Sequence, residues 1–243
     1  MKILLIGYGK MGQTIEQIAL DRGHQIVGKI DKDNLTDLAN FTSDQVDVAI
    51  EFTQPESAVN NLKTCFANNI PVVCGTTGWL ANRVEVESAC QANEGAFFYA
   101  SNFSVGVNIF FHLNKYLAKM MNAQPQYEMD IEESHHIHKK DAPSGTAITI
   151  AEGMIENLDR KETWKLEEEG KELSDNELGI ISYRIDEVPG THQVNYSCEI
   201  DSIEITHTAH SRQGFAQGAL LAAEWLKGKK GIFGMDDMLD FKP

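Results

Sequence analysis

The chain has 243 residues, 42% of them hydrophobic and 23% charged, enough to bury a sizeable core in one or two domains. Its 36 acidic and 21 basic side chains leave a net charge of −15, which excludes the broad basic footprint that nucleic-acid binding requires. No stretch approaches the roughly 18 apolar residues of a membrane span, and the apolar run in MKILLIGYGK is too short for a signal sequence, so a cytoplasmic protein is expected.

The first hundred residues alternate apolar runs with helical patterns. A strand at Ile3-Leu4-Leu5-Ile6 ends at Gly7, and Met11, Ile15, Ile18 and Ala19 then recur at helical spacing. Further strands are expected at 25–30, 46–52, 71–74 and 96–99, with helices from Pro55 and over 80–93 between them. Continuous apolar strands separated by amphipathic helices predict a Rossmann-type, doubly wound parallel sheet, with its ligand at the carboxyl ends of the strands. A helix over 105–121 ends this alternation. Later, Val194, Tyr196, Cys198 and Ile200 oppose Asn195, Ser197 and Glu199 with period two, and Ile203, Ile205, His207 and Ala209 repeat the pattern after a turn at Asp201-Ser202. That predicts a second, mixed α/β domain with a largely antiparallel sheet. The charged, poorly patterned segment 161–177 is expected to be a mobile loop. After residue 212, Phe215, Ala219, Ala222 and Leu226 mark a helix that returns the chain to the first domain. The expected domains are therefore 1–104, completed by 213–243, and 105–212. Cys65, Cys74, Cys90 and Cys198 form no CxxC pair and are expected as reduced thiols.

Gly7-Tyr8-Gly9-Lys10-Met11-Gly12 is a GxGxxG that follows a strand and opens a helix. Gly7 permits the tight turn, Gly9 a close approach of a pyrophosphate, and Gly12 close helix–strand packing. Asp31, ending the second strand, suits the ribose hydroxyls of NADH, whereas Lys32 beside it suits the extra phosphate of NADPH. Phe52 and Thr53, Gly75, Thr76 and Thr77, and Ala100, Ser101, Asn102 and Phe103 end later strands on the edge where the nicotinamide half should lie. Ordinary turn chemistry is the competing explanation of these loops.

The stretch Glu132-Glu133-Ser134-His135-His136-Ile137-His138-Lys139-Lys140-Asp141-Ala142-Pro143-Ser144-Gly145-Thr146 concentrates positive charge in an acidic chain. Pro143 lies just before a helix with Ala147, Ile150, Ala151, Met154, Ile155 and Leu158 as its apolar stripe, so Ser144, Gly145 and Thr146 present N–H groups to an anion beside Lys139. The neighbouring imidazoles exchange protons near neutral pH. A solvated surface run is one alternative; a metal site is another, but HHxH is not a standard zinc pattern, and no metal is expected. His207 shares a face with Ile203 and Ile205, as a packed histidine would; the pattern assigns nothing to His192 or His210.

The run SHHIHKKDAPSGTA (Ser134 to Ala147) resembles the signature of the 4-hydroxy-tetrahydrodipicolinate (dihydrodipicolinate) reductase family. The resemblance extends over nearly the whole chain, through EFTQP at 51–55, VVCGTTGW at 72–79, SNFSVGVN at 101–108, GTHQVNY at 190–196, IEITHTAHSRQGFAQGAL at 203–220 and GIFGMDDML at 231–239. It implies a homotetrameric reductase, built through the sheet of the second domain, that transfers hydride from NADH or NADPH to a cyclic dicarboxylate in the diaminopimelate route to lysine. It implies His135 as proton donor and acceptor, Lys139 as a second proton donor, His136, Gly145 and Thr146 as holders of the substrate carboxylates, and Gly75 to Thr77 with Ala100 to Phe103 as cofactor contacts. Two features depart from the family pattern: the glycine turn is one residue shorter than in many members, and Glu51 stands where an aspartate is usual. Two other readings fit the cofactor motif alone: a dehydrogenase of another small acid, such as an amino-acid semialdehyde, and a non-enzymic NADH-binding redox sensor.

Overall fold

β1 (Lys2–Ile6) pairs in parallel with β2 (Gln25–Ile30) on one side and β3 (Val48–Glu51) on the other. The sheet continues through β4 (Val72–Cys74) and β5 (Ala96–Tyr99) to β11 (Gly231–Phe233), all parallel, in the order β11-β5-β4-β3-β1-β2. Successive strand residues feed two different cores, which is why these strands are apolar without alternation. Ile3, Leu5, Val48, Ile50, Val73 and Phe98 pack under α1 (Lys10–Asp21) and α6 (Gln213–Leu226). Leu4, Ile6, Ala49, Val72, Cys74 and Phe97 pack under α2 (Pro55–Ala67) and α3 (Arg83–Ala92). Each large side chain buried this way contributes roughly 1.5–3 kcal/mol of hydrophobic free energy. A short helix, α7 (Met235–Met238), follows β11.

The computed structural model describes residues 1–168, 170–211 and 213–241. It divides the chain into two compact units, Met1–Val105 with Gln213–Pro243, and Gly106–Arg212. Glu169, within the segment expected as a loop, and Arg212, Lys242 and Pro243 lie outside the described residues.

The second unit carries most of α4 (Val105–Met121), then β6 (Glu128–His135), α5 (Gly145–Ile155), β7 (Thr163–Leu166), β8 (Glu177–Arg184), β9 (Thr191–Ser197) and β10 (Ser202–Thr208). Its sheet runs β10-β9-β6-β8-β7. Met129, Ile131, Val194, Tyr196, Leu178 and Ile180 on one face pack against Phe110, Ala118, Ile150 and Met154 of α4 and α5. Two expectations need correction. The sheet is evenly mixed: β9 pairs antiparallel with β10 and β6, but β8 pairs parallel with both β6 and β7. Part of the expected loop is a strand, because Thr163–Leu166 adds to β8 as an edge, with Trp164 packed on the core and Lys165 turned from it. A four-residue edge strand amid charged residues leaves too short an alternation to detect. β9 also stops at Ser197, and Ile200 in the turn is 90% exposed.

Candidate active site

In the first unit the glycine turn has two kinds of glycine. Gly7 has φ +94°, and a Cβ on it would lie 1.9 Å from the Phe52 carbonyl oxygen; one on Gly12 would lie 2.2 Å from that of Gly7. The fold itself demands both. A Cβ on Gly9 would meet nothing within 4 Å, so the space over this residue is open to a ligand. Gly9 caps α1 without a side-chain hydrogen bond, and the first turn holds no acidic residue. The first-turn N–H groups and the positive end of the helix dipole are left to an anion.

A cleft of about 490 Å³ begins there, lined by Gly9, Lys10, Met11, Gly12, Phe52, Thr53, Gln54, Pro55, Gly75, Thr76 and Thr77. The ends of β3 and β4 are locked together beneath it. The Thr53 N–H donates to Thr76 Oγ1 at 2.7 Å. The fully buried Glu51 carboxylate accepts from the Thr53 hydroxyl and from Cys74 Sγ; burial, then this negative charge, pushes the Cys74 thiol well up. Glu51 therefore braces the strand ends from below the cleft. An open backbone at Gly9, a bare helix N-terminus and a cleft floored by small residues fit a dinucleotide. The remaining expected contacts lie elsewhere in this unit. The Tyr8 hydroxyl contacts Glu16 and accepts from Lys29, whose ammonium sits 4.4 Å above the Tyr8 ring. Asp31 and Lys32 are exposed after β2, with Asp31 Oδ1 accepting the Lys32 N–H at 2.8 Å. Ser101 is exposed and Asn102 half-buried, its Oδ1 accepting the Ser104 N–H. Ala100 and Phe103 do not line the cleft: both are buried in the core, Phe103 against Phe98 and Phe52.

In the second unit the period of β6 turns Met129, Ile131, Glu133 and His135 to the covered face. Register sets Ser182 beside Glu133 on one side and His192 on the other, with Arg184 beside His135. The side chain of Glu133 is 0% exposed. Its Oε1 accepts from the Ser144 N–H at 3.0 Å, Ser182 Oγ at 2.7 Å and Arg184 Nη2 at 3.2 Å. Its Oε2 lies 3.2 Å from His135 Nδ1, within ion-pair range though off hydrogen-bond alignment, and 3.8 Å from His192 Nε2. Burial alone would raise this carboxyl, but the His135 imidazole beside it and donation from Ser144 and Ser182 outweigh it and hold the group well below the usual carboxylate range. His192, 5.1 Å from the His135 ring, is pushed down to about 4, first by burial and then by His135.

Beside this cluster α5 begins. Ser144 is its N-cap, accepting the Ala147 N–H at 3.1 Å, while its own N–H is held by Glu133. The anion site therefore narrows from three N–H groups to two: those of Gly145 and Thr146 make no hydrogen bond to the described residues, and Gly145 is exposed with open space around it. Lys139 is not a free cation, since Asp141 holds it through both oxygens at 2.7 and 2.9 Å. The three histidines of the run do not converge. His135 is buried, His136 is half-buried 6.2 Å from the His138 ring, and His138 is exposed with Ile137 and Lys140. The surface-run reading holds for this last group only. His207 is half-buried beside Phe110. Glu133, Ser182, Arg184 and His192 carry no role in the sequence reading. The signal that reveals the two buried ones is parity: Glu133 follows Met129 and Ile131, and His192 precedes Val194 and Tyr196, as polar residues at core-facing positions.

Two family descriptions cover the chain, "Dihydrodipicolinate reductase, N-terminus" over residues 1–103 and "Dihydrodipicolinate reductase, C-terminus" over 106–239. A 4-hydroxy-tetrahydrodipicolinate reductase of Christiangramia forsetii is 52% identical over 240 residues, spanning 98% of each chain. One of Methanoregula boonei is 35% identical over 253 residues, spanning 98% of this chain and 97% of its own. A dipicolinate-bound dihydrodipicolinate reductase from Paenisporosarcina sp. TG-14 shares the fold at a TM-score of 0.73, with 23% identity over 98% of this chain and 99% of its own. The redox-sensor and other-acid readings give way to these matches: with its nucleotide-binding parallel sheet and its buried histidine–carboxylate cluster, the chain belongs to the dihydrodipicolinate reductase family of oxidoreductases.

Proposed function

We propose that the protein reduces 4-hydroxy-tetrahydrodipicolinate to tetrahydrodipicolinate with loss of water, using NADH or NADPH, in the diaminopimelate route to lysine. The observation that carries the reading is that Glu133 joins a proton-exchanging imidazole to an open helix N-terminus. One of its oxygens holds the Ser144 N–H and the other faces His135.

When bound, the nicotinamide supplies the hydride. The N-terminus of α1 and the bare backbone of Gly9 hold the pyrophosphate; Asp31 accepts from the ribose hydroxyls, and Lys32 faces a 2′-phosphate where one is present. Thr53, Gly75, Thr76 and Thr77, with the backbone of Ala100 to Phe103, receive the nicotinamide half. The N–H groups of Gly145 and Thr146, with His136, orient a substrate carboxylate. Hydride addition to a conjugated imine builds negative charge that a proton must meet. His135 donates that proton, and Lys139, released from Asp141, is the second donor. The protein works in the cytoplasm as a homotetramer; no helix of the described residues is long and apolar enough to cross a membrane.

The test is loss of nicotinamide absorbance with substrate generated in situ from pyruvate and aspartate semialdehyde by a coupling synthase. Loss that needs both the synthase and this protein is expected. No loss with either cofactor, from folded protein, would overturn the assignment. His135→Gln and Lys139→Ala should each depress turnover by about a hundredfold or more while leaving NADH affinity nearly unchanged.

A further inference from the structure

We infer that Glu133 is a positioning residue: its carboxylate sets the His135 imidazole with Nδ1 inward and leaves Nε2 as the nitrogen that exchanges the proton. The inference rests on His135 as the proton donor. Three donors on separate parts of the unit pin Oε1 of Glu133, namely the Ser144 N–H at the start of α5 and the Ser182 and Arg184 side chains on β8. With the carboxylate so fixed and out of water, Oε2 has one orientation, 3.2 Å from His135 Nδ1.

Two imidazoles adjoin Oε2, and distance separates them. Ser144 Oγ accepts the Ala147 N–H and lies 3.1 Å from His192 Nε2, which gives that nitrogen a partner of its own. Nδ1 of His135 is the nearer to Oε2, at 3.2 Å against 3.8 Å for His192 Nε2. The carboxylate therefore bears first on His135. Gly190 protects the other nitrogen: a Cβ there would sit 3.1 Å from His135 Nε2, closer than side chains normally pack. The charged and titratable groups around His135 and its neighbour His192 are Glu133 on β6, Arg184 on β8 and His207 on β10. Lys139 and its partner Asp141 lie in the segment after β6. Glu133 is the group among them that bears a negative charge against Nδ1.

The test compares Glu133→Gln, His135→Gln and the double variant in the full enzyme. Glu133→Gln should lower kcat between about tenfold and a hundredfold, with KM for the substrate and affinity for NADH each changing less than about threefold. The pH dependence of kcat should differ from that of the wild type, because the imidazole has lost the carboxylate that faces Nδ1. The double variant should be no slower than His135→Gln alone, whereas a purely structural Glu133 would make the losses multiply. Glu133→Asp, which keeps the charge, should restore the pH profile in part. If Glu133→Gln does not fold, nitrogen NMR of the wild-type imidazoles decides: neutral His135 must carry its proton on Nδ1, and a proton on Nε2 overturns the inference. A Glu133→Gln enzyme with wild-type kcat and pH profile, beside an inactive His135→Gln, would refute the role of Glu133 alone. Full turnover in His135→Gln would instead remove the underlying assignment.

Discussion

Burial acts on neighbouring groups of one cluster with opposite results. Glu133 stays ionised because donors converge on it, whereas His192 stays neutral because burial and His135 outweigh the attraction of Glu133. Both effects tie stability to pH. Unfolded, His192 takes up a proton below its ordinary 6.5; folded, it refuses one until about 4. The stability carried by this neutrality is complete above 6.5 and is lost as the pH falls toward 4. Between pH 7 and pH 5 the loss is about 2 kcal/mol. Urea titrations should therefore show His192→Gln losing less stability than the wild type over that interval, and equal losses would contradict the assignment. Glu133 adds a loss further down, because the stability from its depressed carboxyl is present above its ordinary 4.5 and disappears below it. A separate prediction concerns Asp31, an exposed carboxylate after β2 that repels a 2′-phosphate. Asp31→Asn should raise the kcat/KM ratio of NADPH to NADH by about tenfold, and an unchanged ratio would remove Asp31 from cofactor choice.

At the scale of elements, the turn from β1 into α1 separates what folding needs from what binding needs. Gly7→Ala forces an L-residue into φ +94° and a Cβ into the Phe52 carbonyl, and neither the backbone of β1 nor that of the Phe52 loop can yield cheaply. It should cost more than about 2 kcal/mol, read as a lower urea midpoint. Gly9→Ala meets no protein atom and should fold with a midpoint within about 0.5 kcal/mol of the wild type. Its affinity for NADH, measured by calorimetry, should fall about tenfold or more. Undiminished affinity in Gly9→Ala would detach the glycine turn from the pyrophosphate. α5 shows a similar division: Ser144 is consumed by capping and by Glu133, so only Gly145 and Thr146 remain for a ligand.

For the whole molecule, the sheet of the second unit is covered on one face by α4 and α5. Its other face presents Asp130, Glu132 and Ser134 of β6 and Gln193 and Asn195 of β9 half-exposed, none of them part of the hydrophobic core. This is the face through which the tetramer is proposed to assemble. Light scattering at micromolar concentration should give the mass of four chains, and the mass of a single chain would reject that assembly. In a chain of net charge −15, the positive groups at Lys139 and Arg184 are both spent on carboxylates or a carbonyl before any ligand arrives.

Periodicity and glycine spacing alone were enough to specify the parallel sheet, the glycine turn and the start of α5, because each is written in residues adjacent along the chain. The largely apolar runs within 3–6, 46–52 and 71–74 need no partner to be read as buried strands, and SHHIHKKDAPSGTA carries its family likeness in one stretch. Tertiary structure decided the rest. The strand at Thr163–Leu166 exists because β8 offers it an edge, which nothing within its four residues announces. Glu133 gains its role from Ser182, Arg184 and His192, between 49 and 59 residues away, brought beside it by strand register. Lys139 loses its freedom to Asp141, and Ser144 its N–H to Glu133, through contacts that only the folded chain makes. Charge, burial and hydrogen-bond supply are properties of a neighbourhood, and for these side chains the neighbours come from distant strands.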